Sequence, residues 1–209
     1  MIDIEALKKM AENSGQFEKR SMPDANFEVK DDGESGSVIT GYAAVYDIES
    51  DGLPWVETYS RGCFDGADYS MCKCLWNHDE KIVLSSTKSG SLKITTDNRG
   101  VFYSSACAVN DYIEAVVLGP LRRGDVDKSS IRFIVDEDEW RYDEANAIAY
   151  RSIIKVSKVL DVSPVTFPAY SSASSTLRSA IDLANINIAD IKSLQDAAAE
   201  RDSELRRFF

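Results

Sequence analysis

The chain has 209 residues, enough for one domain with a full hydrophobic core plus terminal appendages and too few for two large domains. With 44% hydrophobic and 28% charged residues it is not a disordered sequence, and no apolar run reaches the about 20 residues a membrane helix needs. A formal net charge of −11 argues against nucleic-acid binding, which relies on clustered Lys and Arg.

Residues 1 to 20 have helical composition, with Ile4, Leu7 and Met10 on one stripe, and they lack the apolar core of a signal peptide. This start predicts a short helix or frayed arm and a cytosolic protein. Phe27 to Lys30 reads as a short strand between turn-rich segments. From Val38 to Val165 short β-branched and aromatic runs alternate with Gly, Asp and Asn. The runs are Ser37 to Tyr46, Cys72 to Trp76, Ser91 to Thr96, Val101 to Ala108, Ser130 to Val135, Ile148 to Val156 and Val159 to Thr166. Thr96-Asp97-Asn98-Arg99-Gly100 predicts a hairpin turn, because Asn and Gly accept positive φ most easily. Asp111 to Leu118 predicts a helix with Asp111 near its N-cap and Gly119-Pro120 as its end.

Ser171-Ser172-Ala173-Ser174-Ser175 reads as a linker. Beyond it Ile181, Ala184, Ile188, Ile191, Leu194 and Ala198 make an apolar stripe at helical spacing. The expected organisation is an N-terminal arm (1–36), a β domain (37–170) and a helical C-terminal tail (171–209). Closely spaced strands with few helices point to a mainly β fold with flanking helices, a barrel or sandwich.

Four cysteines in a cytosolic protein predict reduced thiols. Cys63, Cys72, Cys74 and the only histidine, His78, could supply a zinc site. However, Cys72-Lys73-Cys74 has one intervening residue where a zinc knuckle has two to four, and it fits one face of a strand better.

Leu75-Trp76-Asn77-His78-Asp79 places His78 where a strand passes into a polar loop. In Ser129 to Val135, strand alternation sends Ile131, Phe133 and Val135 to the core and Ser130 to the other face. In Ile154 to Val162, the same reasoning groups Ile154, Val156, Leu160 and Val162, and turns Asp161 outward. A serine, a histidine and a carboxylate are the parts that activate a hydroxyl for acyl transfer, although Ser and Asp are also ordinary on a solvated strand face.

Taken together, Gly41-Tyr42-Ala43-Ala44-Val45-Tyr46, Arg61-Gly62-Cys63-Phe64, Asn77-His78-Asp79, Arg123-Gly124-Asp125 and Ser129-Ser130-Ile131-Arg132-Phe133 resemble the HK97-type bacteriophage prohead (capsid maturation) serine proteases. Trp140, Arg151 and Asp161-Val162-Ser163-Pro164-Val165-Thr166-Phe167-Pro168-Ala169-Tyr170 continue the match in order. The resemblance implies the herpesvirus assemblin fold, a small closed β-barrel bordered by helices. It implies a serine endopeptidase that needs no cofactor and cleaves scaffold or major capsid protein, and itself, inside the immature capsid in the host cytoplasm. It also implies His78 as general base and Ser130 as nucleophile, with Ser129 adjoining, and Asp161 as orienting acid with Glu137 and Glu139 as competitors. Arg151 is the candidate to fix an oxyanion loop, for which no Gly-rich signature names the donor. A non-enzymatic capsid-binding module is the alternative from another class.

Overall fold

A computed structural model describes residues 18–22, 27–31, 36–50, 53 and 55–167. The strands are β1 (Glu18–Met22), β2 (Glu28–Asp31), β3 (Gly36–Val45), β4 (Val56–Tyr59) and β5 (Lys73–Trp76). They continue with β6 (Asp79–Ser86), β7 (Leu92–Thr96), β8 (Gly100–Ala108), β9 (Lys128–Asp143) and β10 (Ile148–Val165). One sheet runs β1-β9-β10-β5-β6 with β4 also paired to β10, and the other runs β2-β3-β8-β7. The mainly β expectation holds. The closed barrel does not: closure needs edge-to-edge hydrogen-bonded ladders, and among the described residues both sheets stay open and meet through their faces. The proposed helical tail and its stripe lie outside the described residues.

The contact between sheets explains why the catalytic candidates are held still. Ile39, Val101 and Tyr103 of the second sheet pack in one cluster with Ile131, Phe133 and Val162 of the first. Phe133 also meets Tyr59 and Phe64 edge-on, with centroids 5.8 Å apart in both cases. Those aromatic rings form a rigid floor under β9, where each large buried side chain is worth about 1.5–3 kcal/mol. Between the sheets Ser85 and Ser105 satisfy each other at 2.6 Å, as buried hydroxyls must. Gly100, facing Val45 at the start of β8, cannot carry a side chain. A Cβ there would fall 2.0 Å from the Ala44 carbonyl oxygen.

Two sequence expectations change in form. The Asp111 helix is capped by Asn110, whose side chain accepts from Ile113 N at 2.9 Å. It then runs past the expected stop as α1 (Asp111–Ile113), a π-helical stretch (Glu114–Leu118) and α2 (Gly119–Arg123), and ends at Gly124 with φ 75°. Proline inside a helix clashes with the carbonyl one turn back. The wider π turn just before Pro120 is the local adjustment that lets the helix continue. Second, the two expected runs between Ile148 and Thr166 form one long strand, Ile148–Val165, whose pairing with β9 shifts register between Ile153 and Asp161. Across the shifted stretch the buried apolar positions are therefore Ile153, Val156, Val159 and Val162, at intervals of three. Simple alternation mis-assigns Ile154 and Leu160 because bulges break the period of two.

Candidate active site

The sequence Trp76-Asn77-His78-Asp79 closes β5 onto β6 with two residues, and Trp76 pairs directly with Asp79. Asn77 has φ 54° and His78 φ 59°. Positive φ at both central positions is what a tight hairpin requires, and Asn and His tolerate it better than most side chains. The turn is tied to the end of β10. Asn77 N donates to Pro164 O at 3.0 Å, and Asn77 Oδ1 accepts from Thr166 N at 2.8 Å. A strained two-residue turn, clamped in this way, fixes the direction of the imidazole.

The imidazole bridges the two arms of the β9–β10 hairpin. Its Nε2 lies 2.7 Å from Ser130 Oγ on β9, and its Nδ1 lies 2.5 Å from Asp161 Oδ1 on β10. Ser163 Oγ donates to the same Asp161 oxygen at 2.9 Å, and Arg132 Nε sits 2.6 Å from Asp161 Oδ2. Burial alone would raise the Asp161 carboxyl. The His78 hydrogen bond, the charges of His78 and Arg132 and the Ser163 hydroxyl together hold it below its ordinary value. Asp161 is thus a buried carboxylate with a partner for each oxygen. An aligned hydroxyl, imidazole and carboxylate can move a proton off the serine and stabilise the resulting imidazolium.

The chain matches the profile of a family described as Caudovirus prohead serine protease over residues 25–188. It belongs to that family. No curated protein and no solved structure matches it. As a prohead serine protease it falls in a class of serine peptidases that act in capsid maturation.

Of the candidates in this prohead protease, Ser130, His78 and Asp161 come together, whereas Glu137 is exposed and faces Lys155 and Glu139 is exposed opposite Ser152. Ser129 points the other way, into the core near Tyr103. The zinc grouping does not assemble. Cys63, Cys72 and Cys74 are buried free thiols, with Cys63 and Cys74 pushed up to about 12 by desolvation, and among the described residues no cluster of metal-ligand type forms. One expectation about exposure is overturned. Ser130 and Asp161 were placed on a solvated face, yet both are 0% exposed. Ser130 is covered by β1, where the sequence predicts a helix or arm, which pairs antiparallel with β9 and sets Ser21 opposite Ser130, while Asp161 is enclosed by His78, Ser163 and Arg132.

Arg151 also lies elsewhere than expected. Its guanidinium meets Glu18 at 2.6 and 2.8 Å, Glu57 at 3.0 Å and Asp138 at 2.6 Å. Arg20 joins the same buried cluster, bonding Glu57 through Nε and, at 2.9 Å, through NH2. The orienting roles of Asn77, Ser163 and Arg132 were missed as well. Each lies within two residues of a triad candidate, and that proximity is the only signal the sequence offers.

Proposed function

We propose that Ser130, His78 and Asp161 are the catalytic triad of a serine endopeptidase that cleaves scaffold or major capsid protein in the immature capsid. The reading is carried by the continuous line from Ser130 Oγ through both His78 nitrogens to Asp161 Oδ1, and membership of the prohead protease family supports it. Ser130 Oγ attacks a peptide carbonyl while His78 Nε2 takes its proton. The tetrahedral adduct collapses, His78 returns the proton to the leaving amine, and water then releases the acyl group by the same path. Asp161 keeps the Nδ1 proton in place, which leaves Nε2 free to accept. No step needs a cofactor.

Confinement with the substrate belongs to the same reading. The family's setting is the prohead in the host cytoplasm, and among the described residues no helix is long and apolar enough to cross a membrane. The protease unit takes in β1 and β2 together with residues from 36 onward, and residues 171–209, whose sequence has helical spacing, serve to dock on a scaffold or capsid partner. A fluorophosphonate probe tests the core of the proposal. The wild type should be labelled and should cleave the scaffold or major capsid protein of the same phage, and Ser130→Ala should do neither. A labelled, active Ser130→Ala protein would refute it.

A further inference from the structure

The Ser130 hydroxyl has two hydrogen-bond partners. Its Oγ lies 2.7 Å from His78 Nε2 and 2.9 Å from the Arg20 carbonyl oxygen. A carbonyl carbon sits about 1.2 Å from its oxygen, so the Arg20 carbon lies within about 4.1 Å of Oγ, and a small shift of the hydroxyl from the oxygen toward the carbon brings it to the roughly 3–3.5 Å from which attack begins. Glu18 to Met22 lies extended and antiparallel along Phe133 to Ser129, the strand that carries the nucleophile. This is how an extended peptide is added to a sheet edge for recognition.

The side chains of that segment are received as specifically as its backbone. Arg20 is 6% exposed and its guanidinium is held by Glu57, which is itself 2% exposed and also accepts from Trp55 Nε1 at 3.2 Å. Glu18 is held by Arg151 through two hydrogen bonds. Remove β1 from the cluster and Arg151 is left facing two carboxylates, Glu57 and Asp138. The cavity wall then carries one unmatched negative charge, the complement of one guanidinium or ammonium group. The family match begins at residue 25, beyond this segment, so losing it would leave the matched span whole.

We infer that Glu18-Lys19-Arg20-Ser21 occupies the substrate cleft as the enzyme's own first substrate, that Ser130 cuts the Arg20–Ser21 bond, and that Glu57 selects a basic residue on the acyl side of the cut. The inference rests on the triad reading above. The Ser130 Oγ–carbon bond forms at Arg20 as the Oγ proton passes to His78 Nε2. The bond from the Arg20 carbon to Ser21 N then breaks, with that proton going to the new Ser21 amine. Water hydrolyses the ester and leaves a carboxylate on Arg20. Residues 1–20 can then leave, and the cleft opens to segments of similar chemistry, a basic residue preceded at two positions by an acidic one.

The test uses the full chain. Intact mass and N-terminal sequencing should show wild type beginning at Ser21, while Ser130→Ala and Arg20→Gln keep residues 1–20. A synthetic peptide of residues 16–25 given to the mature enzyme should be cut between Arg20 and Ser21. The same peptide with Arg20→Gln should be cut roughly 100-fold more slowly, since a buried carboxylate is left without its cation. Glu57→Gln enzyme should lose that discrimination. If Glu57→Gln fails to fold, the two peptides still decide the matter. An enzyme that labels at Ser130 and cleaves capsid protein, but keeps residues 1–20 or cuts both peptides alike, overturns the inference and leaves the triad standing. Absence of label and of all cleavage would instead bring down the triad reading.

Discussion

Two buried polar clusters meet at Arg20, and they are built on opposite principles. In the first, Ser130, His78 and Asp161 form a line in which each group contacts the next and one proton can travel. In the second, Arg20 and Arg151 face Glu18, Glu57 and Asp138, fixed charges that can only attract. The first cluster is suited to chemistry because its middle member can accept a proton at Nε2 while it holds another at Nδ1 against Asp161. The second is suited to recognition or to holding strands together, and its members are costly to leave unpaired.

The largest expected effect strikes the first cluster alone. Ser130→Ala and His78→Ala should each lower peptide hydrolysis by roughly 10⁵-fold or more. The melting temperature should move little, because each change removes few buried apolar atoms. Activity above a few percent of wild type in either would dissolve the contrast.

Asp161→Asn should lower turnover by roughly 10⁴-fold, since an amide can hold the wrong tautomer of His78. Glu137→Gln and Glu139→Gln should leave it unchanged. Asp161 also links this cluster to acid stability. Its carboxyl is held below the ordinary Asp value of 3.8, so its stabilisation is complete above that value and is lost as pH falls through the lower native one. Thermal melts of Asp161→Asn should accordingly show a shallower loss of stability below pH 4 than wild type. Equal slopes would mean that the carboxylate is not held as described.

Arg151→Met strikes the second cluster. It leaves Glu57 buried with one cation fewer, and should destabilise the protein by about 3–5 kcal/mol, read by denaturant unfolding. Fluorophosphonate labelling of Ser130 in the surviving folded fraction should remain, which separates charge packing from proton transfer. The smallest effect is expected from Asn77→Gly, which keeps the positive φ and removes only the clamp to Thr166. A roughly 10-fold drop in kcat with little change in KM would mark a positioning role, and a pure change in stability would not.

The contrast also explains what could be read in advance. The triad candidates were legible because each stands in a short string whose chemistry is local: an Asn-His turn, a serine at the head of an apolar strand, an Asp before Val-Ser. The hairpin at Asp97 to Gly100 was legible for the same reason, since turn residues declare their backbone angles. β1 was not. Glu18-Lys19-Arg20 is charged throughout, and only Glu57 and Arg151, distant in sequence, make it a buried strand. β6 was missed because Asp79-Glu80-Lys81 begins it, and an edge strand tolerates charges that a central one does not. Burial of Ser130 followed from β1, so both failed together.

The irregular pairing of β9 with β10 acts as a vernier. From Arg151 to Asp161 β10 advances ten residues, while its partners Trp140 to Arg132 span eight. The surplus is an even number, so Arg151 and Asp161 keep the same parity across a stretch in which the period of two is lost. Removing one residue of that surplus would turn the acid away from the imidazole, whereas removing two would return it. In this strand, insertions and deletions are tolerated in pairs or not at all.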